Sequence, residues 1–145
     1  MKRVLLLLCV IGCSSKPEEK KLDKLGITIT VPGNWKQKEH NASITLASGL
    51  DGVILRAEDE PIKTIDDAKA RLIQGYKLRS EKTLPNGAFA FDYDIDYGTA
   101  AKPMVLRHIE VLLPTAKGHV SCKLQLQASQ DPGPIEKACA SMKPI

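Results

Sequence analysis

Residues 88–97 read AFAFDYDIDY, an unbroken alternation of apolar and small or acidic side chains. Successive side chains of an extended strand point to opposite faces. Phe89, Phe91, Tyr93, Ile95 and Tyr97 therefore share one side, and Ala88, Ala90, Asp92, Asp94 and Asp96 the other. A helical period of 3.6 cannot gather either set onto one stripe. The middle of the chain is thus committed to a sheet, and the aromatic side of that sheet needs a cover.

Shorter runs repeat the pattern. Residues 26–31 (GITITV) and 42–47 (ASITLA) alternate and are rich in β-branched residues, and residues 53–57 follow as a further strand. Pro32-Gly33-Asn34, the GLDG of residues 49–52 and Pro85-Asn86-Gly87 are turn signals between them. Trp35, directly after the first turn, is expected to cap the edge of the core. Residues 104–113 form the next strand. Residues 120–128 (VSCKLQLQA) form the last, with Val120, Cys122, Leu124 and Leu126 facing in and Ser121, Lys123, Gln125 and Gln127 facing out.

Two segments switch to a helical period. Thr64 and Asp67 make a T-x-x-D capping signal ahead of Ile65, Ala68, Leu72, Ile73 and Tyr76, which predicts a helix from Ile65 to about Arg79. Asp131-Pro132-Gly133-Pro134 opens a final helix, with a proline near its first turn. In it Ile135, Ala138, Cys139 and Met142 recur at i, i+3, i+4 and i+7. Strands, helix, long strands, helix is the order of an α+β domain, an antiparallel sheet flanked by helices.

The N-terminus carries different information. Met1-Lys2-Arg3 is positive, residues 4–11 are apolar throughout, and Gly12 is small. That is the layout of a secretory signal. A membrane span needs roughly 18 apolar residues and this run is far shorter. The segment Val10-Ile11-Gly12-Cys13 resembles the lipobox of bacterial lipoproteins. The resemblance implies cleavage before Cys13 and acylation of its thiol. Cys9 follows the bulky Leu8 and leaves with the signal. Several acyl chains on one cysteine make attachment effectively permanent, whereas one chain holds only marginally. Ser14, in place of Asp after the cysteine, implies outer-membrane sorting, facing the periplasm, in a Gram-negative envelope. Residues 1–12 are then a signal peptide, 13–24 a lipidated N-terminus and flexible tether (SSKPEEKKLDK after the cysteine), and 25–145 one globular domain.

Of four cysteines, Cys122 and Cys139 remain for the folded domain. An exported chain meets an oxidising compartment. Strand parity turns Cys122 inward and helical periodicity turns Cys139 inward, so a disulfide between them is expected. It closes a loop of about 17 residues, worth roughly 3 kcal/mol in loop entropy. The opening ITITVPGNW, the mid-chain helix, the long strands and the closing ACASM helix together resemble the Mog1/PsbP-like fold of many small bacterial lipoproteins. That resemblance implies an α/β/α sandwich and a binding or assembly role, with no functional residues to carry over.

Candidate chemistry is sparse. Lys2 and Arg3 are two of 21 basic residues set against 17 acidic ones, so the mature chain is nearly balanced and no basic face suggests nucleic acid. Asp92, Asp94 and Asp96 fail the calcium-loop pattern, since Tyr97 and Pro103 stand where glycine and glutamate are required. They are expected to form a solvated stripe paired with Arg107 or Lys123. His40, His108 and His119 are scattered. His119 and Ser121 are expected on opposite faces, which leaves no serine–histidine pair. Trp35 is the weak candidate for a ligand contact. No catalytic residue, metal site or cofactor is expected. The reading is a non-enzymatic, envelope-anchored lipoprotein with a membrane anchor at Cys13 and an envelope protein partner. A small-ligand carrier with a pocket between helix and sheet near Trp35 is the alternative, and an envelope hydrolase ranks below both.

Overall fold

The computed structural model describes residues 15–145. The signal segment, Cys9 and the expected lipid site Cys13 lie outside the described residues. The chain runs β1 (Pro17–Leu22), a single 3-10 turn (Asp23–Leu25), β2 (Ile27–Pro32), β3 (Lys36–His40), β4 (Ser43–Ser48), β5 (Asp51–Glu58) and α1 (Ile65–Lys69). It continues through β6 (Lys77–Thr83), β7 (Phe89–Asp96), β8 (Val105–Thr115), β9 (Gly118–Leu126), α2 (Gly133–Ala140) and β10 (Lys143–Pro144). A seven-stranded antiparallel sheet has the order β3-β4-β5-β9-β8-β7-β6, and a three-stranded one the order β1-β2-β10.

This overturns the expected helix-flanked α+β sandwich of the Mog1/PsbP-like type. The domain is 52% strand and 12% helix, with two sheets and two short helices. The main cause lies in residues 65–79. The Thr64–Asp67 capping box does form: Thr64 Oγ1 accepts from the Asp67 N–H at 3.1 Å, and the Asp67 carboxylate accepts from the Thr64 N–H at 3.0 Å. The helix nevertheless ends at Lys69, tightening through Leu72 N–H to Lys69 C=O at 3.1 Å. Gly75 then takes φ +85°, a left-handed conformation that ends any helix. Leu78 and its neighbours extend into β6 along the edge of β7. The apolar residues read as one long helical stripe are divided between a short helix and the loop after it, and the last residues of the expected helix, 77–79, lie in β6.

The expected tether is also structured from Pro17 onward. β1 pairs with β2 along its whole length, from Pro17 opposite Pro32 to Leu22 opposite Ile27, and Leu22 is 2% exposed. A strand with one open edge and one solvated face keeps its charged residues in water, which is why PEEKKL carries no alternating signal.

Two cores lie on opposite faces of the large sheet. The first face presents Ile44, Leu46, Val53, Leu55, Ile109, Val111, Leu113 and Cys122, and it meets Ile27, Ile29 and Val31 of β2 together with Ile135, Ala138 and Met142. α2 packs on β2 and on β5, β8 and β9 at once. Cys122 and Cys139 are disulfide-bonded across this core, with Cα atoms 5.6 Å apart. Trp35 is buried in the same core. On the second face, Phe89, Phe91, Tyr93 and Ile95 of β7 and Leu112 of β8 are covered by Ile62, Ala68 and Leu72 from α1 and its flanks. The cover stops partway across the sheet, and Ile54 on the same face of β5 is exposed. Full burial of each of these aliphatic or aromatic side chains contributes roughly 1.5–3 kcal/mol.

Candidate functional site

The border of that partial cover is polar. Register fixes what stands there. Glu110 of β8 is opposite Lys123 of β9, and Ser121 is opposite Arg56 of β5, with Glu58 opposite His119. These side chains share the second face, and all but Arg56 line a basin of about 240 Å³ together with Glu60, Arg71 and Leu112. Glu110, His119 and Ser121 are each at least nine-tenths buried (5%, 3% and 6% exposed) and form its floor.

Each floor group is held by a neighbouring element. Gly118 starts β9 with φ +147°, and a Cβ there would lie 2.0 Å from the Glu58 carbonyl oxygen. Only glycine lets β9 approach the end of β5 this closely. That approach brings His119 Nδ1 to 2.6 Å from the Glu60 carbonyl oxygen. A carbonyl can only accept, so Nδ1 carries a proton and donates it to Glu60, and Nε2 is left without a partner among the described residues. Ser121 Oγ donates to the Arg56 carbonyl at the long distance of 3.5 Å. Glu110 Oε2 accepts the Tyr93 hydroxyl at 2.6 Å, and no other side chain among the described residues bonds to that carboxylate.

Behind the floor, the fully buried Tyr93 ring stacks on His108 with centroids 5.2 Å apart and planes 3° from parallel. Tyr97 Oη lies 3.2 Å from His108 Nε2. Burial first, then the charge of Glu110 and the hydrogen bond to it, drives the Tyr93 phenol far above its ordinary range, so it stays a donor. Burial first and Lys123 second push His108 below its ordinary value, keeping that ring neutral at pH 7. At the rim, Arg56 pairs with Glu58 at 3.0 Å and Arg71 pairs with Glu60. Lys123, only partly exposed, has no carboxylate within 4 Å among the described residues.

The residues singled out in the sequence fall elsewhere or are rearranged. The three aspartates have separate partners: Asp92 takes Arg107 through two bonds at 2.8 and 2.5 Å, Asp94 takes Arg79 at 2.9 and 3.0 Å, and Asp96 accepts the Gly98 and Met104 N–H groups. Lys123 takes no part in that stripe. Trp35, 3% exposed, is a core residue and does not line the basin, so the pocket expected beside it is not where the basin lies. His119 and Ser121 are two residues apart, and strand parity puts them on the same face, not on opposite ones. Ser121 is not outward either, because the second face is covered next to it. Two grooves of about 320 and 340 Å³ flank α2, but neither is lined by a buried polar side chain. Glu110 and its Tyr93 partner were missed. The available signal was a single carboxylate inside the otherwise apolar IEVLL of β8.

No family model and no curated protein matches the chain in sequence.

Proposed function

We propose that the chain is an envelope-anchored bacterial lipoprotein whose folded domain is a non-enzymatic binding or assembly module, with lipid on Cys13 and the basin of the second face as its binding surface. The observation that carries the anchor is the V-I-G-C run behind a short positive and apolar leader. β1 begins only four residues after Cys13, so an anchored domain would sit against the bilayer. The Cys122–Cys139 bond accords with an oxidising exported compartment. Binding is favoured over hydrolysis because the Ser121 hydroxyl donates to the Arg56 carbonyl and makes no bond to His119 among the described residues, so no base is in place to take its proton.

The test is metabolic labelling with a fatty acid, followed by membrane fractionation. Wild type and Cys9→Ser should carry label in the membrane fraction, and Cys13→Ser should carry none. Equal labelling of the Cys13 variant contradicts the anchor.

A further inference from the structure

On the basin floor the protons of the buried polar groups are already engaged. The His119 proton is held by the Glu60 carbonyl and the Ser121 proton by the Arg56 carbonyl. The Glu110 carboxylate has one oxygen on the Tyr93 hydroxyl, and an ionised carboxylate has no proton to give. What is left over for a ligand is a Glu110 carboxylate oxygen, the Ser121 hydroxyl lone pairs and, in the neutral form of the ring, the His119 Nε2 lone pair. A primary ammonium has three donors, no acceptor and a positive charge. It complements this floor in number, polarity and sign. Ligands that only accept, such as a phosphate or a plain carboxylate, do not.

The rim adds a second requirement. Glu58 and Glu60 already have arginine partners, but Lys123 has no carboxylate partner among the described residues. Lys123 is the direct cross-strand neighbour of Glu110. Directly opposite residues place their Cβ atoms about 5 Å apart, yet Lys123 and Glu110 form no ion pair within 4 Å, which leaves the cation and the floor carboxylate as separate partners for the two ends of one small molecule. A lone cation would meet Lys123 as a repulsive neighbour, whereas a ligand carrying its own anionic group would pair with it. We infer that the basin binds a small zwitterion, an amino acid or a close relative, with its ammonium on Glu110, His119 and Ser121 and its carboxylate on Lys123. A cavity of about 240 Å³ suits a molecule of that size.

The inference rests on the binding-module reading and names its ligand class. It is tested on the full-length chain purified in detergent, by titration calorimetry with glycine, β-alanine and γ-aminobutyrate as zwitterions of increasing span, n-butylamine as ammonium alone and butyrate as carboxylate alone. At least one zwitterion should bind saturably, about ten-fold or more tighter than butylamine or butyrate. Glu110→Gln keeps the shape and the Tyr93 bond, and Lys123→Met keeps the stem. Each should weaken binding about ten-fold or more while leaving the circular dichroism spectrum unchanged. Absence of binding by all three zwitterions up to about 50 mM overturns the inference. So does undiminished binding in Glu110→Gln, or butylamine binding as tightly as the zwitterions. The acyl mass on the Cys13 peptide is read in the same preparations. A lipidated chain that binds no zwitterion overturns this inference alone, and an unlipidated chain that binds one overturns the anchor alone.

Discussion

The two faces of the seven-stranded sheet are built from the same strands and behave differently. The first is aliphatic, closed by the small sheet and α2, and bolted by Cys122–Cys139. The second is closed only over β7 and β8, by a helix of five residues and its flanks, and where the cover ends the sheet shows Glu110, His119 and Ser121. A sheet face covered from edge to edge gains the most from burial and has nothing left with which to bind. A face covered halfway has a step at its border, where polar groups are shielded from bulk water and still reachable. On the proposed reading, stability and recognition lie on opposite sides of one sheet, with β9 contributing Cys122 to one and Ser121 to the other.

Removing the bolt gives the largest effect. Cys122→Ala with Cys139→Ala should lower the unfolding free energy by about 3 kcal/mol, read from urea denaturation. The basin should keep its affinity in the molecules that remain folded, because it lies on the other face. A double variant as stable as wild type would mean that packing of α2 alone holds the first core.

Gly118 is where the comparison can be broken from the other side. Gly118→Ala sets a Cβ against the Glu58 carbonyl oxygen and strains φ, which should cost roughly 2 kcal/mol. It should also move the Glu58–Glu60 backbone away from His119 and weaken the basin, an effect that the cysteine variant should not show. Unchanged stability and unchanged affinity together would mean that β9 does not need its close approach to β5.

The smallest effect is electrostatic and belongs to the second face. Burial and Lys123 depress His108 in the folded state, while the unfolded chain titrates near pH 6.5. Protonation therefore favours the unfolded state. The stability tied to the neutral ring is complete above about pH 6.5 and is lost as pH falls from there through the lower folded value. The urea midpoint of wild type should fall more steeply between pH 7 and 5 than that of His108→Gln. Parallel slopes would show that the ring carries no such penalty.

The same contrast explains what could be read from the sequence. On the first face the residues of β2, β4, β5 and α2 repeat with clean periods, because each element has one wholly apolar side. Their placement, and the disulfide, follow from parity and helical spacing. β1 (PEEKKL), β3 (KQKEH) and β6 (KLRSEKT) are edge strands rich in lysine and glutamate, and they carry no such period. β1 falls within the expected tether, β3 within a stretch given no element, and the start of β6 within the expected helix. Residues 65–78 misled for the opposite reason. Leu72 and Tyr76 pack on the second core from a loop as readily as they would from a helix, and only Gly75 marks the break. The basin was hidden by its covered position, since His108, Glu110, His119 and Ser121 look like solvent-facing residues of strands. Counting parity from His119 to Ser121 would have put them on one face, and Glu110 in a run of aliphatic residues was the remaining signal.

The central claim is that the second face binds while the first face holds. The most direct measurement is a map of backbone amide and histidine ring shifts in the isotope-labelled full-length protein during titration with γ-aminobutyrate. The account predicts saturable shifts at Glu110, His119, Ser121 and Lys123, and still resonances at Lys137, Ala138 and Ala140 along α2. Shifts confined to the α2 grooves, with His119 and Ser121 unmoved, would contradict it.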